Sequence, residues 1–163
     1  MTHILVAYAT KNGSTQEVAE FIGEVLRDDG AKLDLRPARW VSEYLDGYDL
    51  VMLGAPLYSG RWHRDAHRFL KRHREELGHV PVWVFGMGAR SGSEEAWRRA
   101  RFQLDRALAK RAWLCPVAST VFGGVDPPKP DGGVRRDMRN WDEIRAWATD
   151  VSRSIESSHR QPH

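Results

Sequence analysis

Apolar runs and helical periods alternate along the chain. His3-Ile-Leu-Val-Ala-Tyr-Ala9 reads as a buried strand, and Val18, Ala19, Phe21, Ile22, Val25 and Leu26 then recur at helical spacing until Gly30. Further strands are expected at Lys32 to Pro37, Tyr48 to Ala55, Val80 to Gly86 and Cys115 to Phe122. Between them lie an Arg- and His-rich helix from Arg64 to Leu77 and a second from Ser93 to Arg111. A last helix buries Ile144, Trp147, Ala148, Val151 and Ile155. Ser91 with Glu94, and Asn140 with Glu143, have capping-box spacing before the last two helices.

Strands that are apolar on both faces and separated by helices imply a parallel sheet covered on two sides by right-handed crossovers. The predicted fold is therefore α/β, a doubly wound five-stranded parallel sheet with helices on both faces. Ligands of such sheets sit outside the C-terminal strand ends, where strand order reverses. One domain is expected over residues 1–156, with 157–163 read as a disordered tail; neither repeats nor a second domain are evident. At 163 residues the chain can bury roughly 70% of its unfolded surface around one core.

Composition changes this picture modestly. Cys115 is the only cysteine, so no internal disulfide can form, and its neighbours Leu114 and Val117 suggest a buried thiol in a reducing compartment. No apolar stretch approaches the ~20 residues that span a bilayer, and the N-terminus lacks a signal-peptide shape, so a cytoplasmic location is expected. The net charge of +3 argues for an anionic partner or substrate. Oligomeric state is not encoded in any pattern seen here.

The chemistry concentrates at the strand ends. Thr10-Lys11-Asn12-Gly13-Ser14-Thr15 joins the first strand to the first helix and offers hydroxyls, free backbone N–H groups and the positive end of a helix dipole to one dianion. Ser14 stands where a Walker loop has Lys, and no G-x-G-x-x-G follows the strand, so neither a nucleoside triphosphatase nor a dinucleotide site fits. A single phosphate monoester fits best. The first and third strand ends lack the carboxylates of a phospho-receiver, and no G-x-S-x-G elbow is present. A flavin mononucleotide (FMN) suits these loops, since it brings one phosphate and a flat ring that needs backbone contacts and an apolar or aromatic wall.

The Thr10 to Thr15 loop resembles the hydroxyl-rich phosphate loop of flavodoxins, and Ala55 to Trp62 lies where that fold packs one side of the flavin ring. Gly54-Ala-Pro-Leu-Tyr-Ser-Gly-Arg-Trp-His63, followed by Phe69-Leu-Lys-Arg-His73, is similar to the corresponding stretch of the menaquinone-dependent protoporphyrinogen IX dehydrogenase family. The resemblance implies FMN as cofactor, with Thr10, Lys11, Asn12, Gly13, Ser14 and Thr15 on the phosphate. Ser14 or Thr15 acting as a plain helix cap is the competing reading. Ala55, Pro56, Leu57, Tyr58, Ser59, Gly60 and Trp62 would line the ring, with the Ser59–Gly60 peptide near flavin N5 and Gly60 free to take φ > 0. Tyr58 and Trp62 would stack on the ring or, equally, pack the loop against the core.

Gly86, Met87, Gly88, Ala89 and Arg90 form the third loop, whose glycines would let amides approach the pyrimidine edge while Arg90 favours the reduced, anionic flavin. This loop has neither the aromatic nor the acidic residues that ordinary flavodoxins resemble one another in placing there. No catalytic residue is assigned. Arg61 and His63 are the substrate-side candidates, Arg61 for an anionic group and His63 for proton relay. His63 and His67 are one turn apart but lack further ligands, so no metal is expected.

The resemblance implies an FMN-dependent oxidoreductase acting on a small-molecule redox substrate, a porphyrinogen or a quinone. An electron-carrying flavodoxin serving redox proteins and a cofactor-free interaction module are the alternatives. The basic run from Arg61 to Arg74 reads first as a solvated cationic face; it carries no nucleic-acid-reading motif. The segment from Gly123 to Arg139 is shorter than the family's insertion after the fifth strand, which argues against peripheral membrane contact and porphyrinogen oxidation.

Overall fold

A computed structural model describes residues 1–42 and 44–160. Its elements are β1 (His3–Tyr8), α1 (Ser14–Asp28), β2 (Lys32–Pro37), a short 3-10 turn (Ala38–Trp40), β3 (Leu50–Tyr58), β4 (Arg61–Trp62), α2 (Arg64–Arg72), α3 (Arg74–Leu77), β5 (Val82–Met87), α4 (Glu94–Ala109), β6 (Ala118–Phe122) and α5 (Trp141–Arg160). Five strands pair in parallel in the order β2-β1-β3-β5-β6, and β4 adds to β3 as an antiparallel hairpin. Strand order reverses between β1 and β3, which places the crevice of a doubly wound sheet there.

Alternation along the strands divides the core. Ile4, Val6, Leu50, Met52, Trp83 and Phe85 face α1 and α5, whereas Leu5, Ala7, Val51, Leu53 and Val84 face α2 and α4. Most of these side chains are fully buried, and each large aliphatic contributes ~1.5–3 kcal/mol on leaving water. The two clusters hold the sheet rigid beneath its loops. The Phe85 ring fills the space over Gly54: a Cβ there would lie 1.9 Å from Phe85 Cζ.

Several elements depart from the sequence reading. β3 continues through Pro56, Leu57 and Tyr58, because the Ser59–Gly60 turn folds the chain back and pairs Leu57 with Trp62 and Tyr58 with Arg61. The expected helix from Arg64 to Leu77 breaks at His73, which is 2% exposed and bonds Val41 O through Nε2 at 3.0 Å. His73 therefore does not belong to the cationic face. The cap of α4 is Ser93, whose hydroxyl accepts from Ala96 N; Ser91 instead bonds Ser93. Asn140 does cap α5, accepting from the N–H groups of Asp142 and Glu143.

Cys115 is exposed rather than buried, since the chain crosses the surface there and pairs with β5 only from Val117, whose N–H donates to Val82 O at 2.8 Å. The segment 157–160, expected as tail, continues α5, with neither Gly nor Pro from Trp141 to Arg160 to stop it. The rest of that tail, 161–163, lies outside the described residues. Among the described residues no helix is long and apolar enough to cross a membrane.

Candidate functional site

The loop between β1 and α1 is pinned to the switch point by Ala9 N, which donates to Gly54 O at 2.9 Å. Gly13 takes φ 91°, a left-handed conformation that glycine adopts without steric cost, and its N–H donates to Thr10 Oγ1 at 2.9 Å. Gly13 is also the N-cap residue of α1, so this helix begins without a side-chain cap. Its first-turn N–H groups and the positive dipole end are presented to whatever sits beyond the loop. Thr15 is fully buried, and its Oγ1 has no hydrogen-bond partner. A buried hydroxyl without a partner costs about 1–3 kcal/mol.

Lys11, Asn12 and Ser14 from this loop share a cleft with Pro56, Leu57 and Tyr58 from β3 and with Met87 and Arg90 from the end of β5. All three predicted loops thus contribute to one cleft. Gly124 and Val125, which sequence reasoning did not assign, close its far side. They are held there by Gly124 N donating to Ala89 O at 2.7 Å and by Met138 N donating to Gly124 O at 2.9 Å. Arg139 was missed as well. Its guanidinium pairs with Asp137 at 2.7 Å and Glu17 at 3.6 Å and donates to Ser14 O at 3.4 Å, tying the 123–139 segment to the start of α1. An arginine closing a Gly- and Pro-rich loop was the available signal; its reach to Ser14 was not.

Other predicted residues take different roles. Trp62 is 3% exposed, with its indole N–H donating to Ala55 O at 3.1 Å, so it braces the hairpin from within the core and offers no stacking face. Ala55 is likewise buried beneath the cleft. Tyr58 is half-buried and carries Lys11 Nζ 4.4 Å above its ring, a cation–π contact. Ser59 at φ 51° and Gly60 at φ 75° form a two-residue turn of the type that right-twisted hairpins favour. Gly86 and Gly88 serve close packing: a Cβ on Gly88 would meet Ala100 at 2.8 Å and Leu57 at 2.9 Å, and the Gly88 N–H already donates to Phe122 O. Ala89 is buried, which leaves Met87 and Arg90 as the third loop's side chains at the cleft.

Both histidines flanking the hairpin are committed through Nδ1 to partners. His63 caps α2, its Nδ1 accepting from Asp65 N at 3.0 Å, and burial pushes its pKa below the ordinary histidine value. Arg61 is exposed on the outer side of the hairpin. His67 accepts at Nδ1 from Arg111 at 2.9 Å, so its proton sits on Nε2; burial, then the Arg111 charge, lower its pKa to about 4. Among the described residues no three His, Cys, Asp or Glu come together as a metal-holding group.

The donor set at the β1–α1 loop fits a phosphate monoester. It combines an uncapped helix start, a partnerless buried hydroxyl and the Lys11 ammonium nearby. Comparisons with known proteins bear on the fold. A family model described as a flavodoxin domain matches residues 5–148. The chain is 28% identical over 127 residues to protoporphyrinogen IX dehydrogenase [quinone] of Escherichia coli (strain K12), covering 77% of this chain and 70% of that protein. In three dimensions it resembles a flavodoxin from the domain Archaea, with TM-score 0.64, 14% identity and coverage of 95% of this chain and 99% of that one. It also resembles Fusobacterium nucleatum flavodoxin bound to flavin mononucleotide, with TM-score 0.54, 16% identity and coverage of 94% and 99%. The switch-point crevice and the family match over most of the length together establish that this chain belongs to the flavodoxin-domain family.

Proposed function

We propose that this protein is an FMN-dependent oxidoreductase acting on a small-molecule redox substrate of the porphyrinogen or quinone class. The observation that carries the reading is Thr15 Oγ1, buried without a partner at the uncapped start of α1, one residue after Ser14 of the switch-point cleft. When bound, FMN supplies reversible one- and two-electron chemistry. Thr10, Asn12, Ser14 and Thr15 would hold its phosphate, with Lys11 adding charge. Pro56, Leu57, Tyr58, Met87, Gly124 and Val125 would wall its ring and exclude water, while Arg90 would bias the site toward negative charge. The substrate class rests on the similarity to the Escherichia coli dehydrogenase.

A second reading, an electron carrier between redox proteins, is favoured by the engagement of His63 as a helix cap, which commits its Nδ1 to Asp65 N. The purified protein should absorb at ~450 nm or acquire that band on FMN titration. Anaerobic turnover with protoporphyrinogen and quinones, run beside a reductase-coupled assay, distinguishes the enzyme from the carrier. Absence of FMN association by calorimetry refutes both.

A further inference from the structure

Beyond the Ser59–Gly60 turn lies a groove between the β3–β4 hairpin, α2 and α4. Arg61, Arg64, Arg68, Arg106 and Lys110 line it, all exposed, and no carboxylate does. Lys110 is shared with an adjoining groove, where Lys71, Arg74 and Arg111 join it, again without an acidic residue. On α4, Asp105 is engaged by Arg101 at 2.8 Å. The His67 proton, held on Nε2 by the Arg111 bond, adds a neutral donor to the first groove.

The charge is concentrated, not merely present. Removing these eight cations from the chain's 25 leaves 17 against 22 carboxylates, so the rest of the molecule is net acidic. Eight like charges in one trough repel one another unless an anion covers them. The two joined grooves run from the Ser59–Gly60 turn along α2 and α4 to Trp113, which is longer than a single small anion can span. We infer that this trough docks an acidic protein, and that the partner comes to rest against the Ser59–Gly60 turn beside the redox cleft. The inference rests on the proposed redox function for its purpose, though not for its electrostatics. Charge complementarity of this kind acts chiefly on encounter and register, and is salt-sensitive.

The test uses FMN-titrated full-length protein, an acidic [2Fe–2S] ferredoxin and a polyglutamate peptide as probes, and basic cytochrome c, duplex DNA and pyrophosphate as contrasts. Binding of either acidic probe should weaken as salt rises, and should fall at least tenfold in R64E/R68E and in K110E. R98E/R99E, which changes two arginines of α4 that already pair with Glu94 and Glu95, should move it less than twofold. Thermal melts establish that each variant folds. Affinity indifferent to R64E/R68E and K110E, no binding of either acidic probe, or equal or tighter binding of a contrast ligand overturns the inference. FMN affinity measured on the same samples separates the two readings: failure to bind FMN with intact, reversal-sensitive probe binding refutes the redox function alone.

Discussion

Replacing Thr15 by Val should move stability and cofactor affinity in opposite directions. The substitution keeps volume and β-branching and removes only the hydroxyl, which in this structure is fully buried and bonded to nothing. Relief of an unsatisfied buried hydroxyl is worth about 1–3 kcal/mol, so the cofactor-free variant should gain at least about 1 kcal/mol. In a chain of this size that raises Tm by about 2–4 °C per kcal/mol. With FMN present the hydroxyl would donate to a phosphate oxygen, a charge-assisted bond worth about 1.5–3 kcal/mol. Its loss raises Kd for FMN by about 10- to 150-fold, at 1.4 kcal/mol per decade. Differential scanning fluorimetry of the cofactor-free protein and quenching of flavin fluorescence on titration measure the two effects separately. A variant that melts lower and binds FMN with unchanged Kd would refute the assignment, because the hydroxyl would then have a structural partner and no role at the phosphate.

Three further outcomes follow from other positions. Gly60 sits at φ 75°, and a Cβ there would meet Gln103 Nε2 at an ordinary 3.9 Å, so Gly60→Ala is strained by backbone alone and should cost about 1 kcal/mol, read as a fall in Tm of about 2–4 °C; an unchanged melt contradicts the turn geometry. Gly54→Ala forces a methyl into the Phe85 ring and should destabilise by about 1–3 kcal/mol in urea unfolding; a neutral variant would mean the ring has room to move. His67 has a folded pKa of about 4 against an ordinary value of about 6.5, so the unfolded chain takes up its proton first and stability, full above pH 6.5, declines as pH falls toward 4. His67→Gln, which can still accept from Arg111, should flatten the loss between pH 7 and 5 by on the order of 1 kcal/mol after solvent screening; identical pH profiles for the two proteins would rule out the buried neutral imidazole.

Patterns local in sequence were legible without coordinates. Alternating strands and helices, the parallel doubly wound sheet and the position of the β1–α1 loop follow from hydrophobic periods of two and 3.6 and from a strand running straight into a helix. The turn at Ser59 and Gly60 was readable for the same reason, since a glycine that must take positive φ marks its own position. Side-chain partners across the fold were not. Trp62 sits in an eligible loop, yet the Ala55 carbonyl seven residues earlier draws it into the core. Gly124 and Val125 join the cleft, and Arg139 reaches Ser14 O from 125 residues away, only because the chain after β6 folds back over the start of α1. His73 broke an otherwise regular helix to reach Val41 O, and Cys115 stayed outside because its segment meets β5 only two residues later. Likewise, the basic residues of α2 were visible as a run, but their union with those of α4 into one trough required the packing of two helices on one sheet face. Periodicity is set by neighbours along the chain and so survives in the sequence; convergence of distant side chains is set by how the layers pack, and only the folded molecule decides it.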